Sequence, residues 1–258
     1  MMVMIYDKIF QKKNLNWLRI AMIILWDLDD TLLDFKKSEA YALRKAFEIE
    51  GMELTDAQVV SYSAINEMYW KRMERGEITK DEVLEGRFRT FLETEKLSGV
   101  DFGRIMKNYP EALGSVYYYN EDARELVMQL KEQGIRQYII TNGNAKVQMS
   151  KLKKSGLKDA MDGVFISEEV GFHKPEKAFF DRCMEKIGVK DTAEYLVVGD
   201  SLSSDMLGAN RAGMPCCWYH PKGPVQTSYE QEFFKQEMLR IDYEIRKLRD
   251  LLPILGVE

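Results

Sequence analysis

The sequence predicts a doubly wound α/β sheet of parallel strands with a helical cap inserted after strand one, and three observations predict it. Short apolar runs recur along the chain, the first ending abruptly in polar residues. Strands of that kind are buried on both faces, as in parallel sheets. Between residues 121 and 220 these runs alternate with stretches of helical spacing, the rhythm of successive βαβ units. Between residues 36 and 113 the rhythm is absent and the spacing is helical throughout.

Taken in order, Met22-Ile23-Ile24-Leu25-Trp26 is the first strand, stopped by Asp27-Leu28-Asp29-Asp30-Thr31. Helices are expected near 37–50, 55–75, 79–95 and 101–113; in the second, Val59, Tyr62, Asn66, Tyr69 and Met73 recur at spacings of three or four and form one mostly apolar stripe. This insertion, residues 36–113, follows a strand's carboxyl end and so should stand over the mouth of the sheet. Later strands are predicted at Ile135 to Thr141, Gly163 to Ser167, Tyr195 to Asp200 and Met214 to Tyr219. In the tail, Ser228 to Leu239 reads as a charged helix, Tyr243-Glu244-Ile245 as a short edge strand, and Arg246 to Leu252 as a closing helix ended by Pro253. The core then comprises residues 22–35 and 114–258, and residues 1–21 form a leader outside the sheet.

The chain has 258 residues, with 37 basic against 42 acidic side chains for a net charge of −5. A composition 45% hydrophobic and 31% charged is that of a folded domain and excludes disorder as the main state. The acidic balance argues against coating a nucleic-acid polymer, which needs basic surface. No apolar run approaches the roughly 20 residues that span a bilayer, so no membrane role is expected. Cys183, Cys216 and Cys217 cannot all pair, which fits a reduced, cytoplasmic compartment. Lys8, Lys12, Lys13 and Arg19 faintly resemble a targeting segment, but the leader lacks a continuous apolar stretch.

Open α/β sheets bind ligands outside the carboxyl ends of their strands, so the residues ending each strand are compared as a set. Strand one ends in Asp27-x-Asp29-x-Thr31 and strand two in Thr141-Asn142-Gly143. Lys174-Pro175 follows the next strand, and the fourth ends in Gly199-Asp200-Ser201 with Asp205 five residues after Asp200. In an extended segment Asp27 and Asp29 project to one side. With Asp200 and Asp205 arriving from another strand, these carboxylates repel unless a cation lies among them. Oxygen donors without histidine or clustered cysteine select a hard ion, Mg²⁺. Such an ion beside a lysine, a threonine hydroxyl and glycine-freed backbone N–H groups suits a phosphoryl group. Each fragment alone also has a purely structural reading, as an N-cap cluster, a turn, a first-turn proline or a strand exit. Their order and common placement at strand ends favour the functional one.

Asp27-Leu28-Asp29-Asp30-Thr31-Leu32, Thr141-Asn142-Gly143, Lys174-Pro175 and Gly199-Asp200-Ser201-x-x-x-Asp205 resemble the four ordered motifs of the haloacid dehalogenase (HAD) superfamily, over residues 22–220. The insertion lies where that family places a helical type-one cap on its Rossmann-like core. Ile166-Ser167-Glu168-Glu169-Val170-Gly171, Cys216-Cys217-Trp218 and Asp242-Tyr243-Glu244-Ile245 resemble its house-cleaning pyrimidine 5′-nucleotidase subgroup. Trp26 departs from the family's usual Phe.

The resemblance implies a Mg²⁺-dependent phosphatase acting on a small-molecule phosphate ester, with a nucleoside 5′-monophosphate favoured. Phosphosugar phosphatase, phosphomutase and non-catalytic binding module are the alternatives, and the enzyme would be a monomer or homodimer. Asp27 would be nucleophile and metal ligand, and Asp29 the general acid and base, with its backbone carbonyl on the metal. Asp200 would be the third protein ligand, and Asp205 would act through water or by orienting its neighbours. Thr141 and Lys174 would hold the phosphoryl group, and Asn142 and Gly143 would offer backbone N–H groups. Asp29 favours ester over halide chemistry, because a halide leaves without a proton. Tyr62, Tyr69, Trp70 and Tyr117 to Tyr119 could stack on a base, although aromatic residues at helical spacing more often form core. His173 and His220 read as bystanders.

Overall fold

A computed structural model of the chain describes residues 22–221 and 237–257. Six strands form one sheet in the order β3-β2-β1-β4-β5-β6, every neighbouring pair parallel. They are β1 (Ile23–Trp26), β2 (Arg136–Thr141), β3 (Gly163–Ile166), β4 (Tyr195–Gly199), β5 (Cys216–Tyr219) and β6 (Tyr243–Ile245). The central strand, β1, is buried along its whole length, and Trp26 at its end stands level with Ile139 of β2 and Val198 of β4.

Because side chains alternate across a strand, β1 feeds two cores. Ile24 and Trp26 join a cluster with Leu126, Val127 and Leu130 of α5 (Ala123–Glu132), while Ile23 and Leu25 join Phe179, Phe180 and Cys183 of α9 (Lys177–Ile187) on the other face. Trp26 is the bulkiest of these. Its indole N–H, which would be costly to bury unpaired, donates to Gln137 at 3.0 Å, and the Gln137 amide in turn donates to the Val127 carbonyl.

Between β1 and α5 lie four helices, α1 (Phe35–Glu48), α2 (Asp56–Glu74), α3 (Lys80–Thr94) and α4 (Phe102–Leu113). Each begins on a capping side chain, Asp34, Thr55, Thr79 and Asp101, that accepts from a backbone N–H in the first turn. They enclose a separate apolar cluster around Phe47, Tyr62, Phe88, Phe91 and Tyr109, to which Val147 of α6 (Ala145–Ser155) is the core's contribution. The α2 stripe is as expected at Tyr62, Asn66 and Met73, all buried. Among the described residues no helix is long and apolar enough to cross a membrane.

Three details differ from the sequence reading. Two short helices, α7 (Leu157–Ala160) and α8 (Ser167–Val170), flank β3. A π-helical turn, Leu202–Met206, leads into α10 (Leu207–Ala212). Pro253 does not end the last helix: a 3₁₀ turn at Leu248–Asp250 is followed by α11 (Leu251–Ile254), which contains it. In a first turn, proline's missing N–H has no intrahelical partner to lose. The leader, and the expected helix at 228–239 as far as residue 236, lie outside the described residues.

Candidate active site

The site lies at the carboxyl ends of β1, β2 and β4. Asp27 is the first residue beyond β1, and its N–H still donates to Val198 of β4 at 2.9 Å, so the sheet fixes its backbone. The chain then turns tightly. Asp30 takes a left-handed backbone (φ 63°), a conformation that aspartate tolerates better than most residues, and its carboxylate accepts from the Phe35 N–H at 3.0 Å. This turn points Thr31 inward, where its hydroxyl lies 3.0 Å from Asp27 and 3.2 Å from Asp200, and donates to one of them at a time.

Lys174 is buried at the centre. Its ammonium donates to Asp27 at 2.6 Å, to Asp205 at 2.7 Å and to the Ile140 carbonyl at 3.1 Å, which uses all three protons. Asn142 holds the lysine backbone on both sides, accepting from its N–H at 2.9 Å and donating to its carbonyl at 2.8 Å. Asp205 reaches the cluster from the π-helical turn and accepts from the Ser201 N–H at 3.2 Å. The close approach requires Gly199, since a Cβ there would stand 2.3 Å from an Asp205 carboxylate oxygen.

Asp27, Asp200 and Asp205 each offer a carboxylate oxygen within 4.8 Å of the other two. Three acids around one ammonium leave an excess of negative charge in a desolvated place. Burial first, with Asp205 and Asp29 adding to it and Lys174 opposing, pushes Asp27 up to about 7. Asp200 is held well above the usual carboxylate range by burial and then by Asp27, Asp30 and Asp205. Burial alone would depress Lys174, but Asp205 and Asp27 outweigh it and hold the ammonium above its ordinary value. An all-oxygen donor set carrying surplus charge fits a hard divalent cation such as Mg²⁺.

The Asp29 carboxylate does not join that set. It faces α6, where it accepts from Gln148 at 2.7 Å and from the buried ammonium of Lys151 at 2.9 Å. The repulsion expected between Asp27 and Asp29 is therefore relieved on the Asp29 side by a lysine. Thr141 ends β2 with its hydroxyl accepting from Gln148 at 2.8 Å and from the Gly143 N–H at 3.1 Å. The Gly143 N–H, expected to face a ligand, is thus turned onto Thr141. Gly143 has a second reason to be glycine: a Cβ there would lie 2.3 Å from the Gln148 amide nitrogen.

A cavity of about 430 Å³ opens above these groups, lined by Asp27, Asp29, Thr141 and Lys174 below and by insertion residues such as Glu39, Asn66, Trp70, Arg87, Phe88 and Tyr109 above. Of the aromatic residues proposed for stacking, only Trp70 lines it. Tyr62 is fully buried against Phe88, Phe91 and Tyr109, Tyr69 bonds Thr90 at 2.8 Å, and Tyr117 and Tyr119 pack on the core. Phe88 and Tyr109 line it instead. His173 pairs with Glu176 and His220 stacks on Trp218, and neither lines the cavity.

Sequence reasoning missed Gln148 and Lys151, and it missed two contacts that join the insertion to the strand-end loops. Lys80 at the start of α3 donates to the Asn142 carbonyl at 2.6 Å and the Gly143 carbonyl at 3.0 Å, and pairs with Glu168 at 3.0 Å. Glu74 at the end of α2 accepts from Ser203 at 2.5 Å. For Gln148 and Lys151 a signal existed: both occupy the buried stripe of α6 with Val147 and Leu152, where apolar residues are the rule.

A family model described as haloacid dehalogenase-like hydrolase matches residues 21–213. The chain is 35% identical over 237 residues to the HAD-hydrolase YfnB of Bacillus subtilis, across 91% of this chain and 95% of that one. A crystal structure of YfnB bound to magnesium superposes with a TM-score of 0.82 at 33% identity, covering 92% of this chain and 99% of that one. The pyrimidine 5′-nucleotidase PynA of Streptococcus pneumoniae is 31% identical over 233 residues, 90% of this chain and 94% of its own. The pyrimidine 5′-nucleotidase YjjG of Escherichia coli is 32% identical over 195 residues, 76% and 84% respectively. The chain belongs to the haloacid dehalogenase-like hydrolase family.

Proposed function

We propose that this hydrolase is a Mg²⁺-dependent phosphatase that cleaves small phosphate monoesters through an aspartyl-phosphate on Asp27, with nucleoside 5′-monophosphates as its substrates. The observation that carries the reading is the pairing of two differently supported carboxylates at one strand end. Asp27 is gripped by Lys174 and Thr31, while Asp29, two residues on, is held by Gln148 and Lys151. The similarity to PynA and YjjG supports the nucleotide. In this reading residues 36–113 are the cap, and 22–35 with 114–258 the catalytic core.

Asp27, Asp200 and Asp205 would hold the metal, together with the Asp29 carbonyl. When bound, the ion neutralises charge on the phosphoryl oxygens and on the carboxylates around it. A carboxylate oxygen of Asp27 attacks phosphorus; the new O–P bond forms as the ester P–O bond breaks. Lys174 and Thr141 steady the phosphoryl oxygens during that transfer. Asp29 gives a proton to the departing alkoxide, then takes one from the water that attacks phosphorus and releases Asp27. Gln148 and Lys151 fix where the Asp29 carboxylate stands.

A panel of phosphate esters, containing pyrimidine and purine 5′-monophosphates, hexose phosphates and phosphoglycolate, tests this with and without EDTA. Orthophosphate release from pyrimidine 5′-monophosphates that EDTA abolishes and Mg²⁺ restores is the expected result. Release unaffected by EDTA, or isomerised sugar phosphate as the product, would contradict it.

A further inference from the structure

Two motifs of the sequence, Cys216-Cys217-Trp218 and Asp242-Tyr243-Glu244-Ile245, take no part in the chemistry above, yet the structure brings both to bear on Asp200. Asp200 lies one residue beyond β4, outside the strand pairings, and follows Gly199, which has no side chain to anchor the exit. Thr31 reaches its carboxylate. Its main-chain carbonyl accepts from the indole N–H of Trp218 at 2.9 Å. Trp218 is 2% exposed and stands level with Gly199 in the pairing of β4 with β5, so the indole reaches the residue just past the end of the ladder. The indole is itself held. The His220 ring stacks on it, with centroids 4.2 Å apart and planes 12° from parallel. On the far side of β5, strand β6 fixes the pair. Trp218 is level with Glu244, the His220 N–H donates to the Ile245 carbonyl at 2.8 Å, and the Asp242 carboxylate accepts from the Cys216 N–H at 3.0 Å.

A buried indole N–H needs an acceptor, and Trp26 finds one in the side chain of Gln137. Trp218 instead takes the main chain of a member of the acidic cluster. Asp27, Asp200 and Asp205 repel one another, so where the Asp200 carboxylate stands depends on what ties its backbone. We propose that Trp218 is a positioning residue for the metal: through its bond to the Asp200 carbonyl it holds that carboxylate where Mg²⁺ needs it, so that β5 and β6 set the affinity for the ion. This rests on the phosphatase reading given above, in which Asp200 is a ligand, and adds the group that orients it. Groups that orient a metal's ligands typically contribute about 10- to 100-fold in metal affinity.

Calorimetric titration of Mg²⁺ into the enzyme without substrate tests this, in the wild type, Trp218→Phe and Asp200→Asn. Trp218→Phe keeps a ring for His220 to stack on and removes the N–H. The expected result is a Kd for Mg²⁺ raised about 10-fold or more, with a matching rise in the Mg²⁺ concentration that half-saturates turnover. A merely structural role would lower the Tm in EDTA and leave the Kd alone. An unchanged Kd in Trp218→Phe, with or without a loss of turnover, therefore overturns the proposal while leaving the metal assignment intact. A wild type that binds no Mg²⁺, or binding that Asp200→Asn leaves in place, overturns both. An NMR titration of the wild type depends on no variant folding. Mg²⁺ should move the Trp218 indole N–H resonance and slow exchange of its proton with solvent, because the ion draws Asp200 into a fixed position. A Trp218 resonance that saturating Mg²⁺ leaves unmoved overturns the proposal.

Discussion

At the scale of single residues, Asp27 and Asp29 differ in their partners, and in the mechanism proposed above that difference separates nucleophile from acid and base. Asp27 is buried among acids and one lysine, whereas Asp29 is 25% exposed at its side chain and rests on the buried Lys151. Lys151→Met keeps most of the stem and removes the cation. It is expected to lower kcat about 100-fold for an alkyl phosphate, within the range of general acid catalysis, and far less for p-nitrophenyl phosphate, whose leaving group needs no proton. An unchanged kcat on the alkyl phosphate would show that Lys151 does not act through Asp29. Glu39 carries a second residue-level consequence. Burial pushes it up to about 7, against hydrogen bonds from Ser63 and Asn66 and the charge of Arg87, with Asp30 acting in the same direction as burial. A carboxyl raised in the folded state binds a proton that the unfolded chain has lost, so stability falls as pH rises between about 4.5 and 7. Glu39→Gln should remove that portion of the slope in urea melts across this window. An unchanged slope would contradict the assignment.

At the scale of elements, α2 and α3 close the insertion onto the sheet at two points, Glu74 on Ser203 and Lys80 on the loop after β2. The Lys80 contact touches the carbonyls of Asn142 and Gly143, so the element that covers the cavity also steadies the loop presenting Thr141. Lys80→Ala is expected to raise KM about tenfold with a smaller effect on kcat, because hydrogen bonds from a charged group typically contribute about 1.5–3 kcal/mol when buried and less at an edge such as this. Steady-state kinetics on the best substrate of the panel checks it, and an unchanged KM would rule out the latch. These contacts were not legible in the sequence. Lys80 and Glu74 sit among many charged helix residues, and nothing local separates a lysine that reaches 62 positions along the chain from one in solvent. The strands and the four inserted helices were legible, because their signal is local periodicity and capping: Thr55 and Thr79 begin α2 and α3 within a residue of the expected starts. Pro253 was misread because a proline ends a helix or opens one according to its position in the turn, and the short tail gave no periodicity to locate that position.

At the scale of the whole molecule, an acidic protein of net charge −5 brings three of its 42 acidic residues together where a cation can neutralise them. The topology accomplishes this by ending β1 and β4 side by side, which brings Asp27 within reach of Asp200 and Asp205 across more than 170 positions of sequence. Strand-end residues could be matched as a set without knowing any distance, since a parallel sheet aligns its carboxyl ends. The cavity roof could not, because Glu39, Asn66 and Arg87 meet only once three helices have packed. The central claim is a covalent phosphoenzyme on Asp27, and the direct measurement is mass analysis of enzyme quenched in acid during turnover of a pyrimidine 5′-monophosphate. The account predicts one phosphoryl group on the peptide containing Asp27, absent from Asp27→Asn. A phosphoryl group elsewhere, or none with Asp27→Asn still turning over at the wild-type rate, would contradict it.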